Sequence, residues 1–374
     1  MPTTADTLVW LLRHGTSTFN LQHRCQGCSD EPELTPQARE EARLSAERLA
    51  SKGIQAVITS PLRRASGTAR ELLKVICQKN ARITFETDAR LREVELYQWE
   101  GLSLKEIPHR FPEQYHEWRL RPDTFHMSMT DTEVQYPLRN LYGRVRSFWN
   151  YLLTAHSGKS VLLVTHSGTI RALITSALGL GPEHFHCFQQ SNCGLSRLRF
   201  SSGLRAAKLE LLNDTAHLGE QLPKFKEGKH GLRLLFVSVT EIDPVAIRSL
   251  AAALHGVVIE HTLAVGSTAR DVASRLFSSH CYSCLVVSEA TADSVADQLF
   301  QQCCGDQLRN VAILGSPAVL RGILQQQLRI SDAAAESLDL HPFEISPVHR
   351  PGNGVPPVLQ SMNISKPSPA FVGV

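Results

Sequence analysis

Long apolar runs are missing from this sequence. The longest stretches, such as Leu8–Leu12 and Val161–Val164, are far too short to span a bilayer. Nothing basic precedes Leu8–Leu12, and strand-like sequence begins within ten residues of Met1, so neither a secretory signal nor a transit peptide is expected. The chain also lacks any run of Lys or Arg. Its 39 basic and 36 acidic residues leave a net charge of +3, which argues against nucleic acid or an anionic membrane as the main partner. Metal-ligand spacing is absent too. Cys25/Cys28 and Cys281/Cys284 are both C-x2-C pairs, but they lie too far apart in the chain for a compact zinc knuckle, and no Asp/His cluster has ligand spacing. No metal and no other cofactor is therefore expected. Nine cysteines, an odd number, in a chain too large to need staples fit free thiols in a reducing compartment, and the expected location is cytoplasmic.

At 374 residues the chain is longer than one ordinary core needs, so two domains are expected. Strand, turn and helix alternate through its first half. Leu8–Leu12 breaks at Arg13-His14-Gly15. Thr35 is a good N-cap with Pro36 behind it, and a helix runs to Lys52 before Gly53 closes it. Strands at Ala56–Thr59 and Val161–Thr165 each lead into a helix, at Ser60-Pro61 and at Ser167-Gly168. This order predicts an α/β sheet with helices on both faces. Residues 111–139 lose the period and are rich in Pro, His and Arg, as expected of an insertion or lid. Polar residues Asn213–His230 mark a boundary, after which βα alternation restarts at Leu232–Val239, Val257–Ile259, Cys284–Val287 and Val311–Leu314. From His341 on, seven Pro in 34 residues predict an extended arm.

The chemistry-bearing residues sit at strand ends. Arg13 and His14 follow the first strand, Arg63 the second and His166 the fourth, while Glu93 lies in Leu91-Arg92-Glu93 ahead of Trp99-Glu100-Gly101. In a parallel sheet these ends converge on one edge, where open α/β sheets hold their ligands. Two His, two Arg and one carboxylate around a cavity suit a phosphate. Guanidinium groups bind its oxygens in bidentate fashion, and backbone N–H groups at Ser167-Gly168 face the same point from a helix N-terminus. An imidazole kept neutral by nearby Arg charge can attack phosphorus, and a carboxylic acid can protonate the leaving oxygen and then activate water.

Residues 8 to about 215 resemble the histidine phosphatase, or phosphoglycerate mutase-like, superfamily. The resemblance rests on Leu12-Arg13-His14-Gly15 through Asn20, Arg24-Cys25-Gln26-Gly27 with Leu34-Thr35, and Ser60-Pro61-Leu62-Arg63-Arg64-Ala65 with Thr68-Ala69. Leu91-Arg92-Glu93 with Trp99-Glu100-Gly101, and Thr165-His166-Ser167-Gly168 with Arg171, complete it. It implies His14 as the phosphorylated nucleophile, Arg13, Arg63 and His166 as phosphate ligands, Asn20 as a further pocket residue and Glu93 as proton donor. Thr16, Ser17 and Ala38 depart from the family's usual residues without removing a catalytic group. The mutases of the family carry a Tyr three positions after the acid, where this chain has Leu96, so hydrolysis is favoured over phosphoryl return. Gln189–Gly194, Asn213–Glu220 and Pro356–Gln360 further resemble a two-domain subgroup that includes 2-carboxy-D-arabinitol-1-phosphatase.

The expectation is thus a three-layer α/β/α phosphoglycerate mutase-like domain over residues 1–222, with 111–139 as lid. A smaller α/β domain follows at 231–330, then a Pro-rich arm at 341–374. The expected substrate is a small phosphorylated metabolite that also bears a carboxylate, which basic residues of the lid would bind; homo-oligomerisation is left open. Phosphoglycerate mutase and phosphoserine phosphatase are the enzymatic alternatives. A non-catalytic phospho-ligand sensor is disfavoured, because binding alone needs no placed acid. Aligning Val161–Ile174 with Val311–Leu324 sets Ser316 against His166, and aligning Val9–Asn20 with Leu232–Asp243 sets Phe236 and Val237 against Arg13 and His14. The second domain is accordingly read as a shortened, inactive copy of the first.

Overall fold

The computed structural model describes residues 5–364 apart from 80–81, 129–132, 202, 205–206, 278–283, 304–306 and 353. The first sheet and its helices run as β1 (Thr7–Arg13), α1 (Thr18–Leu21), α2 (Pro36–Leu49), β2 (Ala56–Thr59), α3 (Arg63–Lys79) and β3 (Thr84–Thr87). Short helices α4 (Glu106–Arg110) and α5 (Pro112–Leu120) and the hairpin β4 (Met127–Ser128), β5 (Val134–Gln135) follow. Next come α6 (Pro137–Ala155), β6 (Ser160–Thr165), α7 (Ser167–Ala177), β7 (Leu195–Phe200) and β8 (Ala207–Asp214). Local chemistry explains the starts: Thr35 Oγ1 accepts the Ala38 N–H at 3.1 Å with Pro36 at the first helical position, and α2 buries Ala38, Ala42, Ala46 and Leu49 on one stripe.

The sheet order is β3-β2-β6-β1-β7-β8. β2, β3, β6 and β1 run parallel, while β7 is antiparallel to β1. β6 is buried at all six positions, as a central parallel strand covered on both faces must be. Crossovers from β1 to β2 to β3 travel one way along the sheet and the return to β6 travels the other. Right-handed connection therefore puts α2 and α3 on one face and α6 on the other; α2 packs on α3 and α6 on α7. This is the three-layer α/β architecture expected.

The second sheet runs β9 (Leu232–Ser238), α8 (Pro244–Ala253), β10 (His261–Val265), α9 (Ser267–Leu276), β11 (Cys284–Val287), α10 (Ala292–Cys303) and β12 (Arg309–Gly315). It closes with α11 (Pro317–Leu328), α12 (Asp332–Glu336), β13 (Ile345–Arg350) and β14 (Val358–Leu359). Its order, β11-β10-β12-β9-β13-β14, repeats that of the first sheet strand for strand, with the same parallel core and the same antiparallel neighbour to the first strand. Leu235, Val237, Ala264 and Leu314 of this sheet pack with Ile247 and Leu250 of α8 and Val272 and Ala273 of α9 in one buried cluster.

Two expectations need correction. Residues 345–350 and 358–359 are not arm but the last two strands of the second sheet, although 365–374 lie outside the described residues. Pro347 is tolerated inside β13 because β14 pairs only with Val348 and His349, and the carbonyl of Pro347 still accepts the Gln360 N–H at 2.8 Å. The copy's register also differs. Arg13 pairs with Thr165 and Ser238 with Gly315. The His14 N–H donates to Thr165 O at 2.9 Å just as Val239 N–H donates to Gly315 O at 2.8 Å. Cys193 N–H donates to Arg13 O and Phe343 N–H to Ser238 O, and both donors have left-handed backbone, φ 51° and 60°. Ser238 and Val239, not Phe236 and Val237, thus stand at the positions of Arg13 and His14. A slip of two residues leaves every side chain on its proper sheet face, so apolar alternation alone does not detect it.

The chain divides into two compact units, residues 1–186 with 190–209 and residues 187–189 with 210–374. The cut falls inside β8, ahead of the polar stretch Asn213–His230. Residues 187–189 join the second unit because Leu359 donates its N–H to Cys187 O and accepts one from Gln189. Within that unit Asn213 and Asn363 are both buried with φ of 49° and 59°, a conformation Asn tolerates better than most residues. Asn213 Nδ2 donates to Gln360 O at 2.7 Å, and Asn363 Nδ2 donates to Glu210 O at 2.8 Å and Asp339 O at 2.6 Å while its Oδ1 accepts His341 N–H. Replacing Asn363 with Ala strands two carbonyls and one N–H in a dry interior. The expected cost is about 2–4 kcal/mol, read as a lower urea midpoint at unchanged m-value.

Candidate active site

Three adjacent strand ends build the site, since β2, β6 and β1 lie side by side and deliver Ser60, His166 and Arg13-His14 to one edge. Both imidazoles are buried, with ring centroids 5.3 Å apart and planes inclined at 59°. His14 Nδ1 lies 2.8 Å from the Gly15 carbonyl. A carbonyl only accepts, so Nδ1 carries the proton and Nε2 is left with the lone pair. His166 Nε2 pairs with Ser60 Oγ at 2.8 Å, and its buried Nδ1 has no partner among the described residues. Burial, followed by the charges of Arg64 and Arg13, pushes the His14 pKa well below the usual imidazole range. Burial and Arg64 do the same to His166, with His14 and Arg13 adding to it. Both rings are neutral at pH 7.

The guanidinium groups that act on these rings are Arg13 and Arg64. Arg13 Nη1 donates to Gln190 O at 3.0 Å, and burial pushes its pKa down to about 10. Arg64 is 1% exposed; its Nη1 donates to Ser29 O and its Nη2 to Gly27 O, both at 2.7 Å. Nε of each has no partner among the described residues. Arg63, expected here, is not: its side chain is 62% exposed and is held outside by Asp30, whose backbone O accepts Nε at 3.1 Å and Nη2 at 2.6 Å. Helix geometry is the reason. Arg64 shares the four-residue stripe of Thr68, Leu72 and Ile76, all buried, whereas Arg63, one residue earlier, is turned by about 100° toward solvent. That stripe is readable in the sequence and would have chosen Arg64.

Glu93 is fixed from two sides. Its Oε2 accepts the Gly168 N–H at 3.0 Å, and its Oε1 accepts the N–H groups of Thr169 at 3.1 Å and Val94 at 2.9 Å. The first turn of α7, which favours a negative charge, thus receives Glu93, and the Gly168 N–H expected to face a phosphate is already engaged. Gly168 is required there, because a Cβ would stand 2.5 Å from Glu93 Oε1. Ser167, the first residue of α7, is half-buried. From the other side, Arg144 Nη1 donates to the carbonyls of Arg90 and Arg92 and its Nη2 donates to that of Glu93 at 3.0 Å.

Asn20 lies in α1, with its Oδ1 accepting from Ser17 N–H, Ser17 Oγ and Asn192 Nδ2. Asn192, which sequence reasoning did not single out as a site residue, also donates to His14 O at 3.0 Å and so ties the His14 backbone to Asn20. Its signal was present in Gln189–Gly194, but nothing in a single sequence brings residue 192 to residue 14. The basic lid is largely dispersed. Lys105, His109, Arg110 and His116 are exposed, and Arg121 pairs with Glu117 at 3.2 Å. Arg119 is half-buried, and its charge, with that of Arg171, helps to hold the His186 pKa well below the usual range, after burial itself.

The family profile of the histidine phosphatase superfamily (branch 1) matches residues 9–215. A protein of Arabidopsis thaliana named probable 2-carboxy-D-arabinitol-1-phosphatase is 38% identical over 192 residues, which are 51% of this chain and 38% of that relative. Phosphoserine phosphatase 1 of Hydrogenobacter thermophilus is 28% identical over 210 residues, 56% of this chain and 93% of its own. The solved structure of Bacillus stearothermophilus YhfR superposes with a TM-score of 0.50 at 24% identity, over 57% of this chain and 99% of the other, and it shares the fold. The chain thus spans under two-fifths of the length of the first of these relatives.

Two outcomes are expected. Arg64→Ala weakens orthophosphate binding at least tenfold, about 1.4 kcal/mol, whereas Arg63→Ala changes it less than twofold, as read by calorimetry on the full chain. His14, His166 and His186 all have lowered pKa values in the folded protein. Below the unfolded value of about 6.5 the unfolded chain binds protons that the folded chain refuses, so stability is full above that pH and falls as pH drops. Each ring contributes up to about 1.4 kcal/mol per pH unit. Unfolding at pH 5.5 should take up more protons than at pH 7.5.

Proposed function

The chain belongs to the histidine phosphatase superfamily, and from that premise we propose that it hydrolyses small phosphomonoesters through a phosphorylated His14. The observation that carries this reading is the pair of buried neutral imidazoles under two buried guanidiniums, with the His14 Nδ1 proton tied to Gly15 O so that Nε2 is the free lone pair. In the first step Nε2 attacks phosphorus, the ester P–O bond breaks and the carboxyl of Glu93 gives its proton to the leaving oxygen. The Nδ1–H bond to Gly15 O steadies the positive charge on the phosphorylated ring. In the second step water attacks phosphorus, Glu93 carboxylate takes its proton, the P–N bond breaks and orthophosphate leaves. Arg13 and Arg64 neutralise the charge on the equatorial oxygens in both steps, which is the largest contribution such a dry site makes.

The substrate class supported is a small phosphorylated acid such as 2-carboxy-D-arabinitol 1-phosphate or a phosphoglycerate. The names of the relatives point to acids of this kind, phosphoserine included, and the half-buried Arg119 and Arg171 supply positive charge on the lid side for a carboxylate. The second unit is read as a copy without phosphoryl chemistry. Val239, Ser238, Ala269 and Ser316 stand at the positions of His14, Arg13, Arg64 and His166, and Ser316 Oγ is spent on capping α11 by accepting the Val319 N–H.

Phosphate release from 2-carboxyarabinitol 1-phosphate, 3-phosphoglycerate, phosphoserine and p-nitrophenyl phosphate in the presence of EDTA tests both readings. EDTA-resistant release is expected, reduced at least ~10³-fold, or about 4 kcal/mol, in His14→Ala and unchanged within twofold in Ser316→Ala. The serine variant should lose about 1 kcal/mol of stability with its helix cap. Interconversion of 2- and 3-phosphoglycerate with added bisphosphoglycerate, without release, would instead mark a mutase. Loss of turnover in a folded Ser316→Ala would overturn the inactive-copy reading.

A further inference from the structure

Helix α6 and the turn after α7 line an open cavity of about 480 Å³, within the range that small-molecule sites occupy, with Arg139 and Arg146 exposed at its mouth. One face of α6 walls it with Arg139, Tyr142, Gly143 and Arg146, spaced i, i+3, i+4 and i+7, and Gly179 and Gly181 line the opposite side. The wall is built rather than loose. Tyr142 Oη lies 2.6 Å from Thr175 Oγ1 and donates within reach of Gly181 O, while Thr175 Oγ1 donates to Arg171 O. The two glycines Gly143 and Gly179 leave open space, since a Cβ on either meets nothing within 4 Å.

The charged residues that line this cavity are two arginines, and the carboxylate beside it, that of Glu183, accepts the Gly181 N–H at 3.2 Å. Arg146 makes no hydrogen bond or ion pair among the described residues, and Arg139 only lays its guanidinium over the Tyr136 ring at 4.5 Å. The two are seven residues apart on one helix face, about 10 Å along the axis, with no carboxylate among the residues that line the space between them. A compact ligand carrying an anionic group at each end matches that spacing.

The same two helices hold Glu93. Arg144, next to Gly143 in α6, donates to Glu93 O, and the first turn of α7 donates to the Glu93 carboxylate from Gly168 and Thr169. α7 has eleven residues, so the cavity lies about 16 Å from the carboxylate. It is separate from the nucleophile, yet its walls are the two supports of the acid.

We propose that this cavity binds a small organic phosphate bearing a second anionic group, between Arg139 and Arg146, and that its occupation alters turnover by shifting the two helices that position Glu93. Binding stands on the cavity and its charges; the effect on turnover rests on the hydrolytic reading above. A ligand acts in this way only by its different affinity for the two positions of the helices, so the effect falls on kcat rather than on competition for His14.

The test uses the full chain with its active site filled by orthovanadate and 3-phosphoglycerate as the probe. Calorimetry should show one further molecule bound, with affinity reduced at least tenfold in Arg146→Ala and in Gly143→Leu, which fills the cavity. Gly143→Leu also guards against a fold defect, because a side chain suits a helix better than glycine does. In steady-state hydrolysis of p-nitrophenyl phosphate, both variants should keep the basal kcat within twofold and lose the response of kcat to 3-phosphoglycerate, while its competitive effect on KM persists. No heat in the vanadate-filled protein, or the same heat in both variants, overturns the site. Heat that the variants abolish in a protein that releases no phosphate from any ester keeps the site and overturns the hydrolytic reading instead.

Discussion

Burying two guanidinium groups beside two imidazoles is the constraint around which the first unit is arranged. A buried charge with no partner is costly, and the charge of the Glu93 carboxylate acts on both Arg13 and Arg64. The rest of the compensation is backbone. The carbonyls of Ser29, Gly27 and Gln190 accept from Arg64 and Arg13, which obliges two separate loops to converge on one strand edge. The consequence is electrostatic: burial first, and then positive charge from Arg64 and Arg13, keeps both rings unprotonated, and only an unprotonated ring has a lone pair to give. Glu93 adds to the balance while bonded to the first turn of α7, so one carboxylate serves a helix terminus and acts on two cations.

Much of this was legible in sequence because the elements that carry it are locally encoded. A Thr cap before Pro36, a continuous apolar β6 and short turns after strands specify an α/β sheet without any tertiary information, and the strand-end rule then gathers Arg13, His14 and His166. What was not legible depends on rotation or on distance. Choosing between Arg63 and Arg64 takes the phase of one helix, which strand-end position alone does not supply and the buried stripe of Thr68, Leu72 and Ile76 does. The engagement of Gly168 N–H by Glu93 joins residues 75 positions apart, and Asn192 meets His14 across 178. Local propensity carries no such contact. The proline-rich C-terminal stretch misled for a related reason: proline density argues for an arm, but one proline at the end of a short ladder costs a strand little.

The second sheet shows how far topology and chemistry separate. Six strands recur in the same order with the same directions, and even the hydrogen bonds that follow the first strand, from His14 and Cys193 in one sheet and from Val239 and Phe343 in the other, recur. Those backbone features are what the fold needs in order to close: a parallel core, an antiparallel neighbour, and a left-handed residue where the chain turns back beside the first strand. None of them specifies a nucleophile. The second sheet therefore retains every element that packing demands, while the residues at its strand edge differ.

The direction of that change follows from stability. In the first unit the edge keeps buried polar atoms without partners among the described residues, Arg13 Nε, Arg64 Nε and His166 Nδ1, beside two rings that resist protonation. Each such atom costs free energy that packing elsewhere must offset. At the matching positions of the second unit Val239 and Ala269 are apolar and buried, and Ser316 has its hydroxyl occupied as a helix cap, which leaves only Ser238 Oγ without a partner among the described residues. An edge that holds no phosphate has nothing to repay the cost of buried cations, so side chains that satisfy themselves are favoured there. The two edges differ as the proposed phosphate site and a scaffold of the same topology that had no such ligand to hold would differ.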